Sequence, residues 1–143
     1  MKNDSNLFFT CSLIEFIGRQ QKLPRGAVVR SLGEQVLRRI YKYADVLHSE
    51  PIAKVADEFI HQHAIPQGNF DNAAKCHYTV PDYWTIGKVY SRLIEDVMTD
   101  DPIATLQEVY ASWISTEISR YNSDFYYQSR DYIAECYRAG TVL

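Results

Sequence analysis

Residues 52–60 read Ile-Ala-Lys-Val-Ala-Asp-Glu-Phe-Ile, and Ile52, Val55, Ala56, Phe59 and Ile60 fall at i, i+3, i+4, i+7 and i+8. That spacing puts five apolar side chains on one helical face, while Lys54, Asp57, Glu58 and His61 lie off the stripe. The same period extends in both directions, and no alternation of useful length marks a strand. Upstream, Ser49 is expected to cap this helix, with Pro51 in its first turn where no hydrogen bond is lost. Before it, Val36, Leu37, Ile40, Tyr41, Ala44 and Leu47 form one continuous stripe. Pro24 suits the first turn of a short helix over about 24–32, which Gly33 ends by taking a left-handed conformation. Leu7, Cys11, Ile14 and Ile17, widened by Leu13 and Phe16, define a first helix over about 5–20.

Downstream the period stops at Ile65. Residues 65–82, IPQGNFDNAAKCHYTVPD, carry Pro, Gly, two Asn and two Asp without periodicity. Structureless connections seldom exceed about 12–15 residues, so this loop is expected to be packed by Phe70 and Tyr78, or else to link two helical halves. Pro81 and Asp82 open a further helix whose face holds Tyr83, Ile86, Gly87, Tyr90, Leu93, Ile94 and Val97. Gly87 in that stripe would permit close approach of another helix, since an interior glycine otherwise costs about 1 kcal/mol relative to alanine. Asp101 and Pro102 read as N-cap and first turn of a long helix from Ile103 to Tyr121. Asn122, Ser123 and Asp124 break the chain before a last helix that ends at Gly140. The fold class is all-α: a single-domain bundle of six to seven helices with one long loop at about 65–82. Alternatively, helical subdomains 1–64 and 81–143 are joined by the loop 65–80, and no internal repeat is visible.

A chain of 143 residues, 46% hydrophobic and 23% charged, with 6 Gly and 5 Pro, is of ordinary globular composition and matches one domain. Disordered and collagen-like classes are excluded. Cys11, Cys76 and Cys136 are an odd number at long spacing, which offers neither a disulfide framework nor a CxxC motif and points to a reducing cytoplasm. The run Leu7–Ile17 is interrupted by Thr10, Cys11, Ser12 and Glu15, and no Ala-x-Ala site follows. No stretch reaches the roughly 18 apolar residues of a spanning helix, so neither export nor a membrane is expected.

A net charge of −3 advertises no polyanion for the chain as a whole, yet the charge is bipolar. Arg19, Lys22, Arg25, Arg30, Arg38, Arg39 and Lys42 face one acid, Glu34, whereas residues 51–143 hold seven bases and thirteen acids. The basic segment reads as a solvated face, as a docking surface for an acidic protein, or as phosphate contacts of a small DNA-binding regulator. No helix-turn-helix signature selects the last.

Candidate reactive groups are sparse. His61 and His63 point about 200° apart on a helix and cannot share an ion. Cys76-His77 is one adjacent pair where structural zinc sites show two, so neither a metal nor a cofactor is expected. Cys11 and Cys136 read as buried small hydrophobes, which leaves Cys76 as the thiol to test. Asn69, Phe70 and Asp71, near His77 and Tyr78, supply polar groups on irregular backbone, which serve a binding site or simply make turns. G-x-S-x-G, HExxH, GxGxxG, P-loop and EF-hand patterns are lacking, which weighs against an enzyme. Aromatic residues make up 13% and concentrate toward the C-terminus, where Tyr126 and Tyr127 are adjacent, so one of them must approach the surface.

Residues 11–60 resemble an uncharacterised bacterial family of short helical proteins. The resemblance lies in Ile14-Glu15 on the first helix, Val28-Val29, the Tyr41 to His48 element, and the helix from Val55 to Ile60. Genes of that family often neighbour a candidate ADP-ribosyltransferase-like toxin, which implies a toxin-partner or small regulatory role. The leading expectation is therefore a cytoplasmic protein-interaction module, antitoxin-like or immunity-like. It would dock another protein, such as a toxin encoded nearby, through Arg30, Arg38, Arg39 and Lys42, through Asn69, Phe70 and Asp71, or through Tyr126 and Tyr127. DNA binding by Arg19–Lys42 is the alternative, an enzyme built on His48, His77 and Asp71 is a third reading, and homodimerisation through an apolar face stays open.

Overall fold

The computed structural model describes residues 4–143, whose regular secondary structure is entirely helical. The chain runs α1 (Ser5–Gln21), α2 (Arg25–Leu32), α3 (Glu34–Lys42), α4 (Ala44–Leu47) and α5 (Ile52–Gln62). After the loop it continues with α6 (Tyr83–Val97), α7 (Pro102–Ala111), α8 (Trp113–Ile118), a 3-10 turn (Phe125–Tyr127) and α9 (Arg130–Ala139). None of these helices is long and apolar enough to cross a membrane.

The centre of the bundle is α1. It packs along most of α6 and also touches α2, α3, α4 and α5. A helix surrounded in this way must be apolar or internally satisfied all round. Leu7, Leu13, Ile14 and Ile17 are fully buried, and Thr10 and Ser12 return their hydroxyls to Asn6 O and Phe8 O at 2.8 Å. Gly87 lets α6 approach as its position in the stripe suggests. A Cβ there would lie 2.8 Å from both Ser12 Cα and Ser12 N, inside van der Waals distance of backbone that cannot rotate away. Further along α6, Tyr90 stacks on Tyr110 of α7 at 4.0 Å and shares a 2.8 Å hydrogen bond with Ser115 of α8.

The caps follow the sequence where short acidic side chains precede a helix. Asp82 accepts from Trp84 N at 2.7 Å, and Asp101 accepts from Ile103 N and Ala104 N with Pro102 behind it. Ser49 does not cap α5. Its hydroxyl donates backward to Val46 O at 2.6 Å, and Pro51 precedes the helix without a side-chain cap.

Two expected helices are each divided in two, so nine α-helices replace six to seven among the described residues. The stripe Val36–Leu47 bends at Tyr43, which leaves helical dihedrals at φ −105° and ψ 18° while Ala44 of α4 is buried on α1. The stripe Ile103–Tyr121 breaks at Ser112, whose ψ of 171° is extended. The Ser112 hydroxyl donates to Val109 O at 2.7 Å and accepts from Ile114 N, so it competes with the helical ladder and caps α8. The third difference lies in the loop, where Phe70 is partly buried but Tyr78 is 71% exposed and packs nothing.

Candidate functional site

The loop is held by an ionic knot assembled from distant parts of the chain. Glu15 interrupts the apolar face of α1, and Arg25 opens α2; both side chains are almost wholly buried. Arg25 Nε and Nη2 each donate to one Glu15 oxygen at 3.0 Å, a two-pronged pair. Arg19, one turn beyond Glu15, donates to the same carboxylate at 2.9 Å, and the Tyr121 hydroxyl donates to Glu15 Oε2. Arg25 Nη1 also reaches Leu23 O at 2.7 Å. Space for the guanidinium exists because residue 18 is glycine, where a Cβ would lie 2.6 Å from Arg25 Nε.

Burial pushes the Glu15 carboxyl up, but the charges of Arg25 and Arg19 and the hydrogen bonds from Arg25 and Tyr121 outweigh it. Glu15 is held below the ordinary carboxylate range. Burial and the neighbouring carboxylate push the Tyr121 phenol up to about 12. The knot is ionised and fully hydrogen-bonded, as a buried charge must be.

From this knot the loop is fixed. Arg25 Nη2 donates to Asn72 Oδ1 at 3.1 Å, Asn72 Nδ2 donates to Ser119 O at 2.9 Å, and Arg19 Nη2 donates to Pro81 O at 2.6 Å. Gly68 N and Phe70 N pair with Gln21 O and Lys22 O at 2.8 Å, while Gln21 Nε2 holds Ile65 O. On the far side His77 N donates to Asn122 Oδ1, and Asn122 Nδ2 donates to Lys75 O. Phe70, Asp71 and Asn72 then face Arg120 and Tyr121 across a cleft of about 370 Å³. Asn69 is exposed outside that lining. Asp71 accepts from Ala74 N at 3.0 Å as a turn former. Among the described residues no hydrogen bond joins Asp71, His77 and His48, and no group of three His, Cys, Asp or Glu is placed to hold a metal ion.

The basic segment divides into inner and outer cations. Arg19 and Arg25 belong to the knot. Arg38 is gripped by Glu34 at 2.9 Å and by both oxygens of Asp101 at 3.1 and 2.8 Å, contacts that hold the Asp101 carboxyl down at about 2. Arg30, Arg39 and Lys42 are exposed and have no carboxylate partner among the described residues. Beside them Lys42 Nζ sits 5.4 Å over the Tyr43 ring, and Tyr43 and Val46 are 49% and 65% exposed. Tyr43 and Val46 lie off the apolar stripe, and nothing in its spacing signals the bend at Tyr43 that exposes them.

In the C-terminal part of the chain Tyr127 is 66% exposed and meets half-buried Tyr126 edge-on at 5.0 Å. Both line a second cleft, of about 340 Å³, with Trp84 and Lys88 of α6. The knot itself was also hidden in the sequence, although a carboxylate within an apolar stripe four residues before an arginine was a signal for it.

Comparison with protein-family models, curated proteins and solved structures finds no match for this chain.

Proposed function

We propose that the chain is a protein-interaction module that docks an acidic protein surface on the outer face of α3 and α4. The observation that carries this reading is the combination on one exposed bend of Arg39, Lys42, Tyr43 and Val46. Tyrosine and arginine are the residue types that dominate binding energy at interfaces, and an exposed valine beside them supplies apolar area. Cations without internal carboxylate partners favour an acidic partner by steering and by register. Arg38 contributes less, because Glu34 and Asp101 already neutralise it. An antitoxin-like or immunity-like role is the form this reading takes when the partner is a toxin encoded nearby.

The test is affinity capture of the tagged chain from its native extract, with and without nuclease, beside the Arg39→Glu/Lys42→Glu variant. A stoichiometric protein that survives nuclease and is lost with the variant is the expected result. Retention of that protein by the variant removes α3 and α4 as the docking face. Capture that depends wholly on nucleic acid replaces the reading with phosphate binding.

A further inference from the structure

The second cleft is bounded by α1, α6, the 3-10 turn and the start of α9. Its base is apolar, formed by Val89, Leu93 and Ile133. Its walls are aromatic on two sides. Phe8 and Trp84 stand with ring centroids 5.4 Å apart and tilted by 44°, and Tyr126 and Tyr127 form the edge-on pair. Three cations line it, Lys88, Arg92 and Arg130, and among the described residues of the lining there is no carboxylate. This is a local reversal of sign, because residues 51–143 carry thirteen acids against seven bases.

The three cations differ in what holds them. Arg130 is fixed by Asp96 at 2.9 Å and Glu95 at 3.2 Å. Lys88 and Arg92 are exposed, have no carboxylate partner among the described residues, and stand four apart on α6, where like charges repel. Lys88 Nζ lies 5.7 Å over the Phe8 ring, at the lip between the aromatic wall and solvent. Asp4 and Glu95 share an adjoining cleft with Lys88 and Arg92, but both acids are engaged elsewhere: Asp4 by Leu7 N and the Tyr41 hydroxyl, Glu95 by Asp4 N and Arg130. Lys88 and Arg92 therefore form no ion pair among the described residues and stand beside the aromatic slot, where an anion that also carries a ring can meet both.

We infer that this cleft binds a small planar aromatic anion of nucleoside-monophosphate size, its ring against Trp84 and Tyr127 and its anionic group at Lys88 and Arg92. Aromatic walls recognise a flat ring through offset or edge-on contact. The Arg92 fork matches a phosphate or carboxylate. Gln128 and the tyrosine hydroxyls supply the few polar groups that orient a ligand in an otherwise apolar site. A volume of about 340 Å³ is at the small end for ligand sites, which suits one or two fused rings with a single anionic group. The inference is independent of the docking face on α3 and α4, and each can fail without the other.

The chain has two tryptophans, and Trp113, at the start of α8, is not in this lining. Trp113→Phe therefore leaves Trp84 as the single indole reporter. Its fluorescence is titrated with adenosine monophosphate, adenosine and inorganic phosphate in turn, and calorimetry on the unaltered chain repeats the series independently of that substitution. Saturable quenching by adenosine monophosphate is expected, with adenosine weaker by about tenfold or more and phosphate alone giving no quenching. Lys88→Ala and Arg92→Ala, both at exposed positions, are each expected to weaken the nucleotide by about tenfold with helicity unchanged. Absence of saturable binding by the nucleotide, equal affinity for adenosine, or wild-type affinity in both alanine variants overturns the inference.

Discussion

Arg25 Nε and Nη2 meet Glu15 Oε1 and Oε2 at 3.0 Å each, inside the protein, and the same guanidinium reaches Asn72 in the loop. One buried arginine therefore fixes the crossing of α1 and α2 and the path of residues 65–82 together.

Removing one partner of such a pair strands the other in a low-dielectric site. Glu15→Gln and Arg25→Met are each expected to destabilise by roughly 3–5 kcal/mol, measured from urea midpoints. The double variant should lose much less than the sum of the two, because neither charge is then left alone. Strict additivity would contradict a direct coupling.

The pH dependence follows from the lowered Glu15 carboxyl. Between its folded value and the ordinary glutamate value near 4.3, the unfolded chain binds more protons, so stability rises with pH. The contribution is complete above that ordinary value and fades as pH falls through the folded one. Urea midpoints of the wild type should therefore drop below about pH 4.3, and those of Glu15→Gln should drop less steeply. Equal slopes would show that Glu15 is not the group responsible.

Gly87→Ala tests the α1–α6 contact. Helix propensity alone favours alanine by about 1 kcal/mol. Overpacking against the Ser12 backbone costs about 1–3 kcal/mol or more, so a net loss is expected. A stabilised variant would mean that α6 moves outward freely.

Asp101 and Arg38 separate capping from surface pairing. Asp101→Ala removes both an N-cap and a salt bridge and should lower the thermal midpoint clearly. Arg38→Ala removes exposed pairs alone, which solvent and salt screen, and should lower the midpoint less. Thermal midpoints of the two variants give the comparison, and an equal loss in both would remove the cap from the account.

Arg38→Ala and Arg39→Ala also test the docking face. Once a partner is captured, Arg39→Ala should weaken it several-fold while Arg38→Ala changes little, as titration calorimetry will read. The reverse order would move the contact toward Asp101.

The all-α class, the cap at Asp101, the extent of the loop and the role of Gly87 were legible in the sequence because they depend on local chemistry: an apolar period, a short acidic side chain, a missing Cβ. The bends at Tyr43 and Ser112 were not, because a helix can turn at one residue while its apolar spacing continues on either side. Nor could a linear count of charge separate Arg25 from Arg39. Arg25 owes its interior place to Glu15, ten residues back, and to Tyr121, which is 96 residues on in the sequence and brought to its side by folding. Arg39 owes its exposure to the lack of any such partner among the described residues. Local periodicity determined which segments are helices. Only the tertiary structure decided which charges became structure and which were left for a partner, because desolvation and pairing depend on residues brought together by folding.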